Sequence, residues 1–156
     1  MNGINFVSNQ QNLKPMKTLL TFLMLTLGVR AADDRVANFS YGTPGQENYE
    51  EFSFWVKNNQ PAEIQYVYGK DRKTLRVRYV KQDKTHFQVR FPNQLVLLLS
   101  PQGNQLRVYD LKGKYAAKTF SWHYEGPVDG VGTFCQACAE DETEAMQLLR
   151  QYYFKP

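Results

Sequence analysis

Two cysteines, Cys135 and Cys138, stand with two residues between them in GTFCQACAEDETEAM (Gly132–Met146), and the chain has no others. A pair at this spacing can exchange electrons as a dithiol, supply half of a metal site, or close a small covalent loop. The redox reading has one point in its favour, because a helix start lowers a thiol's pKa. Here, however, Glu140, Asp141, Glu142 and Glu144 follow at once, and their charge disfavours a thiolate. The strand–helix–strand surroundings of a thioredoxin-type site are also absent, since the chain ends just after the helix. A structural zinc site needs four ligands. Only His86 and His123 could join the cysteines, at spacings that fit no finger or ribbon. Covalent haem attachment needs histidine after the second cysteine, and Ala139 stands there. No metal and no cofactor are expected. The preferred reading is a Cys135–Cys138 disulfide formed in an oxidising compartment. So small a loop contributes little chain entropy, and its use is to fix the turn between the last strand and the helix.

Other groupings are weaker. SWHYE places Ser121, His123 and Glu125 on one face of a strand, superficially a nucleophile, a base and an orienter. Alternate side chains on one strand stand roughly 6.5–7 Å apart and nearly parallel, too far for direct hydrogen bonds. EGPVDGVGT brings Gly126, Gly130 and Gly132 before the helix, but it lacks the lysine and spacing of a phosphate loop and runs into carboxylates. Asp129 with the helix-start acids falls short of an EF-hand. Asn38-Phe39-Ser40 is a formal glycosylation sequon, of consequence only in a eukaryotic host. No catalytic residue is assigned, and an enzyme is the less favoured outcome.

The basic strands offer a surface. With Leu75, Val77, Phe87, Val89, Leu106 and Val108 turned inward, Arg76, Arg78, Arg90 and Arg107 fall on the opposite face, together with Trp55 and Tyr109. Arginines among aromatics suit an anionic glycan, a lipid head group or a protein carboxylate. The same pattern also serves to keep exposed strands solvated and to block edge pairing.

Around these residues the sequence has a clear order. MKTLLTFLMLTLGVRA, Met16–Ala31, follows Lys14 with a second lysine and an apolar run from Thr18 to Val29. It reads as a secretory signal peptide, too short to span a bilayer, with cleavage after Ala31. No transmembrane anchor is expected to remain. Met16 is a better initiator than Met1. The protein is therefore expected in the periplasm or outside the cell.

The isoelectric point near 9.0 and formal charge of +4 owe much to Lys14, Lys17 and Arg30 in this leader. Nucleic acid is not expected as a partner. Charge is nonetheless uneven. From Lys57 to Lys118 basic residues far outnumber Glu63, Asp71, Asp83 and Asp110, and both flanks are acidic.

Residues 32–49 are polar, contain Gly42, Pro44 and Gly45, and read as an N-terminal arm or loop. Beyond them the hydrophobic period is two: EFSFWV, EIQYVY, TLRVRYV, HFQVRF, QLRVYD and TFSWHYE each place apolar residues on one face. KNNQP, GKDRK, KQDK, SPQGN and DLKGK punctuate them as turns. LVLLLS, Leu95–Ser100, is apolar on both faces, as a strand covered on both sides would be. The last element is helical from about Glu140 to Phe154. Asp141 and Glu144 outline a capping box, and Ala145, Leu148, Leu149, Tyr152 and Tyr153 form a stripe.

The expected architecture is mostly β: an antiparallel meander of six or seven strands, strongly bent or barrel-like, with one C-terminal helix closing a face or end. Residues 50–156 form a single domain after the leader (1–31) and the arm (32–49). The expected function is a non-enzymatic binding or interaction module, acting through the Arg/aromatic face or an apolar cleft between sheet and helix. The alternative is a thiol–disulfide oxidoreductase or redox-responsive protein using Cys135 and Cys138.

Overall fold

The computed structural model describes residues 34–80, 85–124, 135 and 137–154, which belong to one compact unit. The leader, Asp129 and the glycines of EGPVDGVGT lie outside the described residues. Eight strands follow one another: β1 (Arg35–Tyr41), β2 (Glu50–Lys57), β3 (Gln60–Tyr68), β4 (Lys73–Val80), β5 (Phe87–Arg90), β6 (Val96–Gln102), β7 (Gln105–Tyr109) and β8 (Lys118–Trp122). Each pairs antiparallel with the next, and β1 returns to β8, so the meander closes into a barrel.

The strand missing from the sequence reading is β1. Ala37, Phe39 and Tyr41 do alternate, but Asn38, Ser40 and the Gly/Pro-rich sequence after them give the segment the composition of a loop. Its strand character comes from its partners. It pairs with β2 from Arg35↔Val56 to Tyr41↔Glu50 and with β8 at Phe39↔Trp122 and Ser40↔Ser121. Closure removes the exposed edges that an open sheet would leave. Two tight turns explain their residues. Asn58 and Asn59 sit at φ 51° and 58°, as a two-residue hairpin requires. At Gly42, φ is 80°, and an added Cβ would lie 2.7 Å from the Asn48 carbonyl oxygen.

The interior is filled. Phe39, Phe52, Phe54, Phe87, Phe120, Leu97, Leu99 and Leu106 are wholly buried, and Phe52 packs on Phe54, Tyr66 and Phe120 with ring centres 4.9–6.0 Å apart. Eight strands give an interior just wide enough for side chains to fill or for one small ligand, and here aromatic rings occupy it. In LVLLLS, Leu97 and Leu99 point in, while Leu98 on the outer face is also buried.

Helix α1 (Glu142–Tyr152) is capped as its sequence implies. Asp141 Oδ1 accepts from the Glu144 amide at 2.7 Å, and the Glu144 carboxylate accepts from the Glu140 amide at 2.7 Å. Ala145, Met146, Leu148 and Leu149 are buried beneath it. Its last turn closes one barrel end. The Tyr153 ring meets Phe54, Tyr79 and Phe87 at 5.3–5.7 Å, and its hydroxyl donates to the Trp55 carbonyl at 2.6 Å. Tyr79 in turn donates to the Tyr153 carbonyl at 2.9 Å. At the opposite end the Glu50 carboxylate accepts from Tyr115 and pairs with Lys118. The Lys118 ammonium also lies 5.0 and 4.7 Å from the Tyr41 and Tyr115 ring centres. Both mouths of the barrel thus carry their own side-chain closures.

Candidate functional site: a polar cleft on the outer face of the barrel

Because successive strand residues alternate between faces, the residues between the core positions of β1–β4 form an outer surface. Register sets them in rows. Asn38 lies opposite Ser53, Ser53 opposite Gln65, and Gln65 opposite Arg76. Glu51 faces Val67, and Val67 faces Thr74. Trp55 faces Val36, at a register shift between β2 and β3.

This surface is concave. Its walls include Asn38, Glu51, Ser53, Trp55, Gln65 and Thr74, with Arg72 from the β3–β4 turn and both cysteines, around a volume of about 380 Å³.

The cysteines bound it because their segment extends the sheet. β8 covers β1 only near Phe39 and Ser40. At the other end of β1 the chain around Cys138 lies parallel to Val36. The Val36 amide donates to the Ala137 carbonyl at 2.7 Å, and the Ala139 amide to the Val36 carbonyl at 2.9 Å. Cys135 and Cys138 are disulfide-bonded, beside this bridge and at the wall of the cleft. The Glu144 carboxylate that serves the helix start also pairs with Arg35 of β1, so the helix entry is tied to the same edge.

Polar groups here are buried to an unusual degree for an outward face. Glu51 is 2 % exposed, and Asn38 and Ser53 are each 7 %. Burying a carboxylate requires partners. Glu51 accepts from the Tyr49 hydroxyl and from Ser53 Oγ at 3.2 Å, with the Arg72 guanidinium at 3.6 Å. Burial above all, with the hydrogen bond to Glu51, raises the Tyr49 phenol far above its ordinary pKa, so it stays a proton donor. Asn38 sets its amide nitrogen 4.0 Å from Cys138 Sγ. The Trp55 indole nitrogen is buried and has no hydrogen-bond partner. Lys57 covers the indole, its ammonium 5.7 Å from the ring centre. The sequon asparagine is thus a buried strand residue in this cleft.

The Arg/aromatic residues are outward-facing but do not form one patch. Trp55 belongs to the cleft. Arg76 pairs with Glu63 at 2.8 Å. Arg78 and Arg90 are direct cross-strand neighbours, a like-charge pair. Arg107 stacks on Tyr109, 5.5 Å from its ring centre, on β7, with β5 and β6 between it and the Arg78 strand. Barrel curvature separates what a flat sheet would have aligned. Ser121 accepts from Gln105 at 3.1 Å, the His123 amide donates to the Asn38 carbonyl at 2.9 Å, and Glu125 lies outside the described residues.

A second outer cleft, of about 600 Å³, lies over β5–β7 and is lined by Leu95, Val96, Leu98, Leu111, Lys112 and Lys114, among others. Asp110 shapes its rim, accepting from the Lys112 and Lys114 amides at 3.0 and 2.8 Å. The backbone bond from Lys112 lowers its carboxyl pKa most.

The residues missed from sequence are Asn38, Glu51, Ser53, Gln65, Arg72 and Thr74. Most sit between core residues, in strands read for their apolar face. Only the repeated polar positions of Tyr49-Glu50-Glu51-Phe52-Ser53 hinted at them, and register alone aligns them.

Structurally the molecule is defined as a closed eight-stranded antiparallel barrel with a C-terminal helix and a polar cleft outside it. No protein-family model, curated protein or solved structure matches the chain.

Proposed function

We propose that the protein is an exported, non-enzymatic binding module whose ligand sits in the cleft outside β1–β4. One observation carries this reading: Asn38, Glu51, Ser53, Gln65, Arg72 and Thr74 converge from four strands and a turn on the outer face, around a cleft of about 380 Å³. Export rests on the Met16–Ala31 leader; its test is the intact mass of protein recovered outside the cytoplasm, where a chain beginning at Ala32 is expected and one retaining the leader removes the cleavage. The binding reading is tested by screening small polar ligands against the wild type and Trp55→Phe. Saturable binding that Trp55→Phe weakens supports it; identical behaviour of the two proteins removes the cleft from consideration.

A second reading is favoured by the place of the disulfide in the same wall. A substrate dithiol held in the cleft would reduce Cys135–Cys138 and leave as a disulfide. A reduction potential near −120 to −200 mV supports exchange, and one below about −300 mV supports a structural staple.

A further inference from the structure

The outer cleft over β5–β7 differs in kind from the one outside β1–β4. A row of cross-strand neighbours runs along this face: Val80 opposite Gln88, Gln88 opposite Leu98 and Leu98 opposite Tyr109. Leu97 and Leu99 belong to the barrel core, so Leu98 between them is turned outward. Leu95, Val96 and Leu111 complete an apolar wall. Leu111 is 76 % exposed, the most of any large hydrophobic residue among those described, and Val80 in the same row is also exposed. A single exposed leucine means little, but this one stands beside three other apolar residues. Its turn is built. Asp110 accepts from the Lys112 and Lys114 amides, the Gly113 amide donates to the Asp110 carbonyl at 3.3 Å, and Gly113 takes φ 70°, a conformation natural to glycine.

Charge narrows the guest. Lys112 and Lys114 line the cleft and are exposed, and among the described residues neither ammonium has a salt-bridge partner. Asp110 is the one acidic residue of the wall, so two ammoniums outweigh one carboxylate. The surroundings agree: from Phe87 to Ala117 the chain carries Arg90, Arg107, Lys112 and Lys114 against Asp110 alone. The other polar groups of the wall are the amides of Gln88, Asn93 and Gln94. Asn93 Oδ1 accepts from the Leu95 amide at 3.1 Å, and Gln94 Nε2 donates to the Pro92 carbonyl at 3.5 Å. An amide side chain offers both donors and an acceptor, so these three admit a head group of either sign. The lysines decide it. The volume of about 600 Å³ lies well within the range of ligand sites, and a concave wall suits one guest molecule better than a flat bilayer.

We infer that the outer cleft of β5–β7 is a second binding site, for one single-chain anionic amphiphile of the fatty-acid class. The tail lies along Leu95, Val96 and Leu111, and the carboxylate meets the ammoniums of Lys112 and Lys114, whose alkyl stems add apolar cover. The tail stays outside the barrel because aromatic rings fill the interior. This site stands whether or not the cleft of β1–β4 binds a ligand.

The full protein is titrated by calorimetry at low ionic strength with octanoate, decanoate and dodecanoate, each below its critical micelle concentration. Dodecyltrimethylammonium supplies the same tail with a cationic head, acetate the head without a tail, and phosphatidylglycerol vesicles a membrane. The expected result is saturable binding of one dodecanoate per chain, weakening up to about fourfold for each methylene removed, with acetate silent. Affinity should fall at least threefold in the double variant Lys112→Gln, Lys114→Gln and at least threefold in Leu111→Ser. All three positions are exposed, so both variants should melt with the wild type. In assigned ¹H–¹⁵N spectra dodecanoate should shift the amides of Leu98, Leu111 and Lys112 and leave Ser53 and Gln65 unmoved. Equal binding of dodecyltrimethylammonium, or indifference to loss of the two lysines, overturns the anionic class. Indifference to Leu111→Ser, or shifts centred on Phe52 and Phe120, overturns the site. Co-sedimentation with the vesicles without dodecanoate binding replaces the amphiphile by a membrane surface and overturns the proposal. Failure to bind dodecanoate at all overturns it outright and leaves the β1–β4 reading to its own test.

Discussion

Replacement of Tyr153 tests whether the C-terminal helix is a structural part of the barrel. The side chain is fully buried, contacts three aromatic rings of the core and donates to the Trp55 carbonyl at 2.6 Å. Tyr153→Phe keeps the ring and deletes one hydrogen bond, a loss of about 1–2 kcal/mol. Tyr153→Ala also opens a cavity between Phe54, Tyr79 and Phe87, and buried aromatic-to-alanine changes cost about 3–5 kcal/mol. For a domain of this size 1 kcal/mol moves Tm by about 4 °C. The alanine variant should then melt about 12–20 °C lower and the phenylalanine variant about 4–8 °C lower. Thermal unfolding followed by near-ultraviolet circular dichroism measures both. The alanine variant should also bind 8-anilinonaphthalene-1-sulfonate, because it exposes the apolar barrel end, whereas wild type should not. A Tyr153→Ala protein that melts within about 4 °C of wild type and ignores the dye would refute the plug, and with it the claim that the helix completes the core.

Tyr49, Tyr66, Tyr79, Tyr115 and Tyr153 have phenol pKa values raised chiefly by burial. The unfolded chain loses these protons first, near pH 10, so the associated stability is complete below that pH and declines above it. Urea midpoints should hold steady with respect to these groups from pH 8 to 9.5 and fall by pH 11, with part of the phenolate absorbance at 295 nm appearing only on unfolding; a flat midpoint to pH 11 counts against buried phenols. Replacing both Cys135 and Cys138 by serine removes a small loop, whose chain entropy, about 2 kcal/mol, stands at the low end for a disulfide. Faster hydrogen exchange at Val36 and Ala139 is the specific sign, and unchanged exchange there would show that the disulfide does not pin the added strand. Arg78→Glu turns the cross-strand repulsion with Arg90 into attraction and should raise stability by about 0.2–1 kcal/mol, an increment that shrinks in high salt. The same variant binding a heparin column as wild type does would remove Arg78 from any polyanion surface.

Among the groups with possible chemistry, the bond between Cys135 and Cys138 was legible, because close spacing is a local property. Helix α1 was legible for the same reason: Asp141 and Glu144 cap it through contacts three residues apart, and only Met146 was missed from its buried side. The cleft was harder. Glu51 and Ser53 lie between the apolar positions of their strand, and nothing near them in sequence announces that Arg72, twenty-one residues away, meets Glu51 at 3.6 Å.

Sequence alone determined the alternation of apolar and polar residues, and hence the strands from β2 to β8, the meander, the helix and the inward set of rings. Those properties depend on periods of two and 3.6 residues and on turn chemistry within a few positions. Tertiary structure decided the rest. Closure of β1 on β8 turned a loop-like segment into a strand, and curvature divided Trp55 from Arg107 and Tyr109. Register lined up Asn38, Ser53, Gln65 and Arg76 from four separate strands. The physical reason is that burial and hydrogen-bond partnership on a barrel's outer face belong to residues far apart in the chain, so no local period encodes them.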